Sequence, residues 1–563
     1  MRERGRFLRK AAPSLKPKDR ERLVAAIMAG PPRALYREDL PEEDFRKIAE
    51  RAIWRNLAKL RESGAELPQA ALDRLVELER EHDRKLEPDH RDEFPIWLGE
   101  AEWGHPSGSF VERLRQITPE EAANLLATEK VARDDLIDAW RTLCEEKPPT
   151  LALSIMKAIL AKKIYEPEIW RMAFSVFWGR PEAEWQPEVW RQLLATVPKF
   201  SDELCASINN TLSGWLSVLA KHLPMEEERE FWSVWDRLWS LSFQGAEDGF
   251  ADRPLYAALN HPSGQLAEAA LTRLFKRNLS KDDGLPKELE TKFDTIAATE
   301  GVNGVMGRVI LCSRLNNLYL IDRRWTTDKL LPKLEWSSAE ALPLWHGYLW
   351  APRCSPELLA AFKKSFLATM AHSREFGEQS SNLHRLFAAI CIYADGILTH
   401  QEMRTTAHSL DADGLADVLA LLSDLLRGAG EKALTLWNDR IRPWLQENWP
   451  FTKDKRNERT SISAAEMAIN GKEAFPLIAD WAMDFLVPSQ HVAHIMYRLK
   501  ETDLTERHPS HVLRLLSKLV PDDAAPWEYH GLKEILQKLS LALPEISSEA
   551  TYRRLYALAQ KSA

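Results

Sequence analysis

Glycine is scarce, with 23 in 563 residues, against roughly 7% in ordinary soluble chains. All-β chains use glycine in hairpin turns, and dinucleotide-binding folds use it to cradle phosphates, so the shortage speaks against both. Cysteine is sparse as well. Cys144, Cys205, Cys312, Cys354 and Cys391 stand far apart, form no CxxC pair or zinc knuckle, and are odd in number. They supply no complete disulfide framework and fit a reducing cytoplasm. No window approaches the ~18 consecutive apolar residues of a membrane span. The basic N-terminus lacks the apolar stretch that would make it a signal peptide. These absences predict a soluble, cytoplasmic chain with no membrane partner.

A positive excess is missing too. Lys and Arg total 76 against 84 Asp and Glu, a net charge of −8, which leaves no global surface for coating nucleic acid. Residues 1–20 are the exception. They carry Arg2, Arg4, Arg6, Arg9, Lys10, Lys16, Lys18 and Arg20 against Glu3 and Asp19 alone. This segment reads first as a solvated terminus, and it is the one place where nucleic acid could be engaged.

What the chain does have is helical periodicity almost throughout. Phe45, Ile48, Ile53, Leu57 and Leu60 follow a 3.6-residue repeat, and Leu72, Leu75, Val76 and Leu78 begin another. Thr118-Pro119-Glu120-Glu121 combines a cap, a first-turn proline and two acids at the positive helix end. Leu358–Phe366, Gly414–Leu426 and Val512–Leu519 are further amphipathic runs, and short connectors rich in Pro or Asp separate them. The predicted fold is all-α, an irregular α-helical repeat array of stacked hairpins. Two echoes support repetition. Trp-Arg recurs inside helices at Trp54, Trp140, Trp170 and Trp190, and His105-Pro106-Ser107-Gly108 returns as His261-Pro262-Ser263-Gly264. The 21 tryptophans read as interhelical core rather than as stacking platforms. Trp336, Trp345 and Trp350 lie near prolines, which places some of these rings at the surface. The composition shifts divide the chain into a basic segment (1–20), an N-terminal helical domain (21–115), Trp-rich repeats (116–255), a central helical domain (256–430) and a C-terminal helical domain (431–563). Thr452–Thr460 is polar and reads as an exposed loop.

Local chemistry is thin. Gly428-Ala429-Gly430 follows a helix rather than a strand and reads as a helix C-cap. Gly471-Lys472 lacks the rest of a P-loop. His491 and His494 stand three apart without a supporting acid or cysteine, and HExxH is absent. Asp411, Asp413 and Gly414 resemble the start of a calcium loop, but no Glu closes it, and Asp413-Gly414 reads as a helix start. The sequence assigns no catalytic, metal-binding or cofactor-binding residue, and it favours a chain without catalysis of its own. The alternative is a nucleotide or nucleic-acid hydrolase assembled from distant groups such as His384, Asp395, His400 and Glu402.

Three blocks carry a family likeness: Asn260–Ala269, Leu344-Trp345-His346-Gly347-Tyr348-Leu349-Trp350-Ala351-Pro352-Arg353, and Trp437 through Ile441-Arg442-Pro443-Trp444-Leu445 to Trp449-Pro450. Gly30-Pro31-Pro32-Arg33 and Asp92-Glu93-Phe94 add weaker matches. From about residue 20 onward the chain resembles the large helical region that follows the sirtuin-like domain of bacterial defence-associated sirtuins. In that family the sirtuin-like domain hydrolyses NAD once phage is sensed, and the helical region senses or restrains. This chain has no strand followed by a glycine-rich loop, and His346-Gly347 sits in a helical block, so catalysis is not carried onto it. The resemblance implies a sensor or scaffold half, encoded alone or cut from a longer protein. Its partner would be a protein, either a phage component or a host effector such as an NAD-consuming enzyme. Trp345, His346, Trp350 and Arg353 are the candidate binding residues.

Overall fold

Apolar stripes at helical spacing must find a second helix to cover them, and a chain made of such stripes stacks hairpin on hairpin. The computed structural model describes residues 15–33, 36, 42–81, 107–129, 133–179, 187–241, 253–523, 527 and 530–560. Among these residues every regular element is a helix. The chain divides into two compact units, Met1–Pro106 and Ser107–Ala563.

In the first unit, α1 (Pro17–Met28), α2 (Glu42–Glu62) and α3 (Gln69–Glu81) enclose Val24, Ile27, Leu57, Leu60, Leu75 and Leu78. The sequence stripes are slightly too broad here. Ile48 is 38% exposed and Val76 57%, because each lies at the edge of a narrow apolar face on a short three-helix unit.

The second unit is the repeat array. Its first layer runs α4 (Ser107–Gln116), α5 (Arg133–Glu145), α6 (Pro167–Trp178), α7 (Asn209–His222), α8 (Pro262–Phe275), α9 (Gly301–Cys312), α10 (Ala341–Leu349), α11 (Ser380–Tyr393), α12 (Ala412–Ala429), α13 (Glu458–Asn470), α14 (Ala493–Lys500) and α15 (Leu532–Ala542). Each packs on the next, with the short helical segment Ser373–Gln379 intervening between α10 and α11. Neighbours run parallel: Ser263 at the start of α8 bonds Asn303 at the start of α9, and Asn470 near the end of α13 bonds Ser423 in the second half of α12. The intervening helices form a second layer, for example Pro119–Thr128 on Thr150–Ala161, and Phe475–Ala482 on Pro509–Leu519. One continuous hydrophobic core fills the space between the layers.

The local signals behave as their chemistry requires. Thr118 and Glu121 close a reciprocal capping box, with Thr118 N donating to Glu121 Oε2 at 2.9 Å. Gly430 caps the end of α12 at φ 57°, a conformation that only glycine adopts cheaply. Two starts differ from the sequence reading. Asp411, not Asp413, caps α12, because its carboxylate accepts from Gly414 N at 2.9 Å. The supposed loop at Thr452–Thr460 is a short helical turn (Lys453–Lys455) that leads into α13, capped by Asn457, with Thr460 fully buried. Polar residues there are consumed in making a helix start, which composition alone does not distinguish from a loop.

The repeated tryptophans are structural. Trp140 on α5 donates its indole N–H to Ile169 O of α6 at 3.0 Å, and Trp235 donates to Leu266 O of α8 at 2.9 Å. Each ring buries a large area and also satisfies its single polar atom across a repeat boundary. The histidine echo likewise marks a helix start. His261 caps α8 by accepting from Ser263 N at 3.2 Å, and a side chain at Gly264 would place its Cβ 1.9 Å from Ala258 O. The earlier copy also begins a helix at Ser107, while His105 and Pro106 lie outside the described residues.

Candidate functional site

Of the four predicted binding residues, two belong to the core and two to the surface. Trp345 is fully buried in α10. Its indole donates to Leu334 O at 2.9 Å and its ring stacks on Phe362 with centroids 5.6 Å apart. His346 is also buried. Its Nδ1 lies 2.6 Å from Gln379 Oε1. Burial, which favours the neutral ring, pushes its pKa down against the hydrogen bonds with Gln379 and the Glu375 backbone. Gly347 is where α10 meets α9 most closely, because a Cβ there would lie 2.2 Å from Val309 O. His346-Gly347 is thus a packing pair. Trp350, in contrast, is 62% exposed, and Arg353 is exposed beside it. Nothing reaches Trp345 or His346 without opening the core, so a ligand at this block would meet Trp350 and Arg353.

The four groups of the hydrolase alternative are each engaged by a different partner. His384 is buried, with Nδ1 donating to Asp417 Oδ2 at 2.9 Å, and Asp417 in turn accepts from Arg459 at 2.5 Å. The triad spans α11, α12 and α13, and it ties three repeats together. Asp395 pairs with Arg440, whose hydrogen bond holds its carboxyl below the usual range. His400 pairs with Glu447 at 2.8 Å. Glu402 completes a capping box with Thr399 and also binds Lys363 at 2.9 Å. A nucleophile and base must lie within hydrogen-bond reach of each other, and these groups answer to different neighbours instead. His494 faces Glu466 at 3.2 Å, and among the described residues no cluster of three His, Cys, Asp or Glu could hold a metal. Burial raises the Cys205 thiol to about 11 and the Cys312 thiol to about 12, far from the reactive thiolate range. A groove of about 600 Å³ near the end of the array is lined by Gln537, Ser540, Pro544, Tyr552, Arg553 and Tyr556, a set without an acid–base pair.

The sequence reading missed the ties that hold the repeats in register. Glu228 accepts from Arg273 at 2.5 Å and from Arg277 at 2.8 Å. Arg308, fully buried, binds Glu340 at 2.6 Å and caps the end of helix Lys287–Ala298 through Ile296 O, Ala297 O and Thr299 O. Further pairs bridge neighbouring repeats at similar separations, Arg115 with Glu146 over 31 residues, Arg191 with Glu227 over 36 and Arg385 with Asp424 over 39. The signal in the sequence is a cation and an acid about one repeat apart. With charged residues at 28% of the chain, such spacings arise everywhere.

No family model and no curated protein matches the chain. Solved structures of Kap121p do. Kap121p bound to Ste12p is 13% identical over 99% of this chain and 53% of its own, with a TM-score of 0.28. Kap121p bound to Nup53p matches at 13% identity over the same shares, with a TM-score of 0.25. The chain spans about half the length of these proteins. Likeness at this level carries no argument about what the chain binds.

No helix among the described residues is long and apolar enough to cross a membrane.

Proposed function

We propose that this chain is a helical scaffold that works by binding other proteins and performs no chemistry of its own. The observation that carries this reading is the first layer from α4 to α15, a run of helices that pack in chain order, with the segment Ser373–Gln379 between α10 and α11. Stacks of this kind present extended surfaces that engage a partner over several repeats, and a partner with different affinity for two states can be switched by that contact.

The resemblance to the helical region of defence-associated sirtuins gives the scaffold a role. It senses phage, or restrains an effector that consumes NAD, in bacterial anti-phage defence, within the cytoplasm. The test is cross-linking mass spectrometry on bacteria carrying the full chain, before and during phage infection, with plaque counts and cellular NAD measured in parallel. A cross-linked partner that is gained or lost on infection, with protection that depends on the chain, is the expected result. An unchanged partner set and unchanged plaque counts would remove the defence role.

A further inference from the structure

Three successive connectors on one edge of the array are locked together. In the connector after α8, Asp282 N donates to Leu320 O at 2.8 Å and Gly284 N to Ile321 O at 2.9 Å, which joins it to the segment after α9. That segment is joined to the connector after α10, because Ser355 N donates to Asn316 Oδ1 at 2.7 Å. Tyr348 Oη donates to Arg353 O at 3.0 Å and fixes the connector on its other side. The result is a rigid ridge, and it displays Trp350, Arg353 and Arg314 to solvent.

The named acids on this ridge are all engaged, whereas two of its arginines are not. Glu357 is taken by Lys281 at 2.6 Å, and Asp282 lies 3.6 Å from Arg323. Both oxygens of Asp322 accept backbone amides, from Leu285 at 3.0 Å and Trp325 at 2.8 Å. Asp283 is turned onto Ser280 N at 2.6 Å. Arg314 and Arg353 form no ion pair among the described residues, although most arginines that tie the repeats do. Cations after helix C-termini do complement the helix dipole, but that does not account for the exposed indole on the same set of joined connectors as two uncommitted guanidinium groups. Tryptophan and arginine are the residues that most often anchor protein interfaces, and a backbone already fixed by hydrogen bonds need not be ordered on binding.

We propose that this ridge docks an acidic segment of a protein partner, which lays an apolar side chain on Trp350 and sets carboxylates on Arg314 and Arg353. The proposal rests on the interaction-scaffold reading and gives it a surface and a partner chemistry. Guanidinium–carboxylate pairs are the bidentate contacts that Lys would not reproduce.

The test pans a displayed library of random fifteen-residue peptides against the full chain, then measures the resynthesised peptides by fluorescence anisotropy. The expected winners are net negative with one aromatic or leucine residue. Their affinity should fall at least tenfold with R314E or R353E and comparably with W350A, and stay unchanged with R141E, an exposed arginine in a distant repeat. All four positions are exposed or solvent-facing, so unchanged circular dichroism checks that the variants fold. Winners that bind the triple variant as well as the parent would overturn this ridge and leave the scaffold reading standing. A library without any binder would overturn both. A single-stranded DNA oligomer that binds more tightly than the peptides, with the same loss in the variants, would overturn the acidic-protein assignment.

Discussion

Replacing Glu228 by Gln tests the idea that buried charge ties hold neighbouring repeats together. Glu228 begins helix Glu228–Ser240 and is 7% exposed, and Arg273 on α8 is fully buried. The carboxylate accepts from Arg273 Nε at 2.5 Å, Arg277 Nη2 at 2.8 Å and Trp232 Nε1 at 3.2 Å. Burial works to raise its pKa, yet the hydrogen bonds from Arg277 and Arg273 outweigh it and hold the carboxyl below its usual range. Arg273 also donates to Ala220 O at 3.1 Å and Leu223 O at 2.7 Å, at the end of α7. Glutamine keeps the shape and one acceptor but removes the negative charge that Arg273 and Arg277 share. Removing one partner of a buried pair costs about 3–5 kcal/mol. Because Gln still accepts one bond, about 3 kcal/mol is expected for E228Q. Since the carboxyl titrates lower in the folded chain, this contribution is present above pH of about 4.5 and is lost as pH falls further. The assay is urea unfolding followed by hydrogen exchange, comparing amides of α7 and α8 with those of α13. The loss should concentrate at α7 and α8, because a repeat array unfolds in local units. A loss below about 1 kcal/mol, or one spread evenly to α13, would refute the reasoning.

Three further outcomes follow from the geometry. G347A places a Cβ 2.2 Å from Val309 O, so α9 and α10 must separate; a loss of about 2–4 kcal/mol is expected in thermal unfolding, far above an ordinary Gly-to-Ala change in a helix. His261 is pushed down to about 4 by burial, from about 6.5. Below pH of about 6.5 the unfolded chain therefore binds the extra proton, and stability should drop by up to about 3 kcal/mol as pH falls toward about 4. H261N keeps a helix cap and should flatten that part of the pH profile. Last, the purified chain should turn over neither NAD nor DNA, with and without divalent metal. Turnover abolished by alanine at His384, Asp395, His400 or Glu402 would establish the hydrolase alternative.

The exposed Trp350 and the buried Trp345 were indistinguishable as letters. Both stand in one apolar block near prolines, and only the direction of α10 against α9 decided that one ring enters the core and the other leaves it. His384 likewise looked like any histidine on an apolar helix. Its partner Asp417 lies 33 residues onward and Arg459, which holds Asp417, lies 75 onward, and no local pattern links positions at that distance.

By itself the sequence determined the helices and several of their ends. The 3.6-residue apolar spacing, Thr118-Pro119-Glu120-Glu121 and Gly430 act through contacts within a few residues, and such contacts are written in consecutive positions. It also determined that the tryptophans of α5 and α6 pack between helices, because an amphipathic face needs a large apolar side chain to fill a hairpin interface. Tertiary structure alone decided which charges became ties between repeats, that Gly347 marks a close backbone approach to α9, and that Arg314 and Arg353 share one set of joined connectors with Trp350. Those relations join residues one repeat apart across connectors of irregular length, where no sequence period holds, and the contact exists only once the helices have stacked.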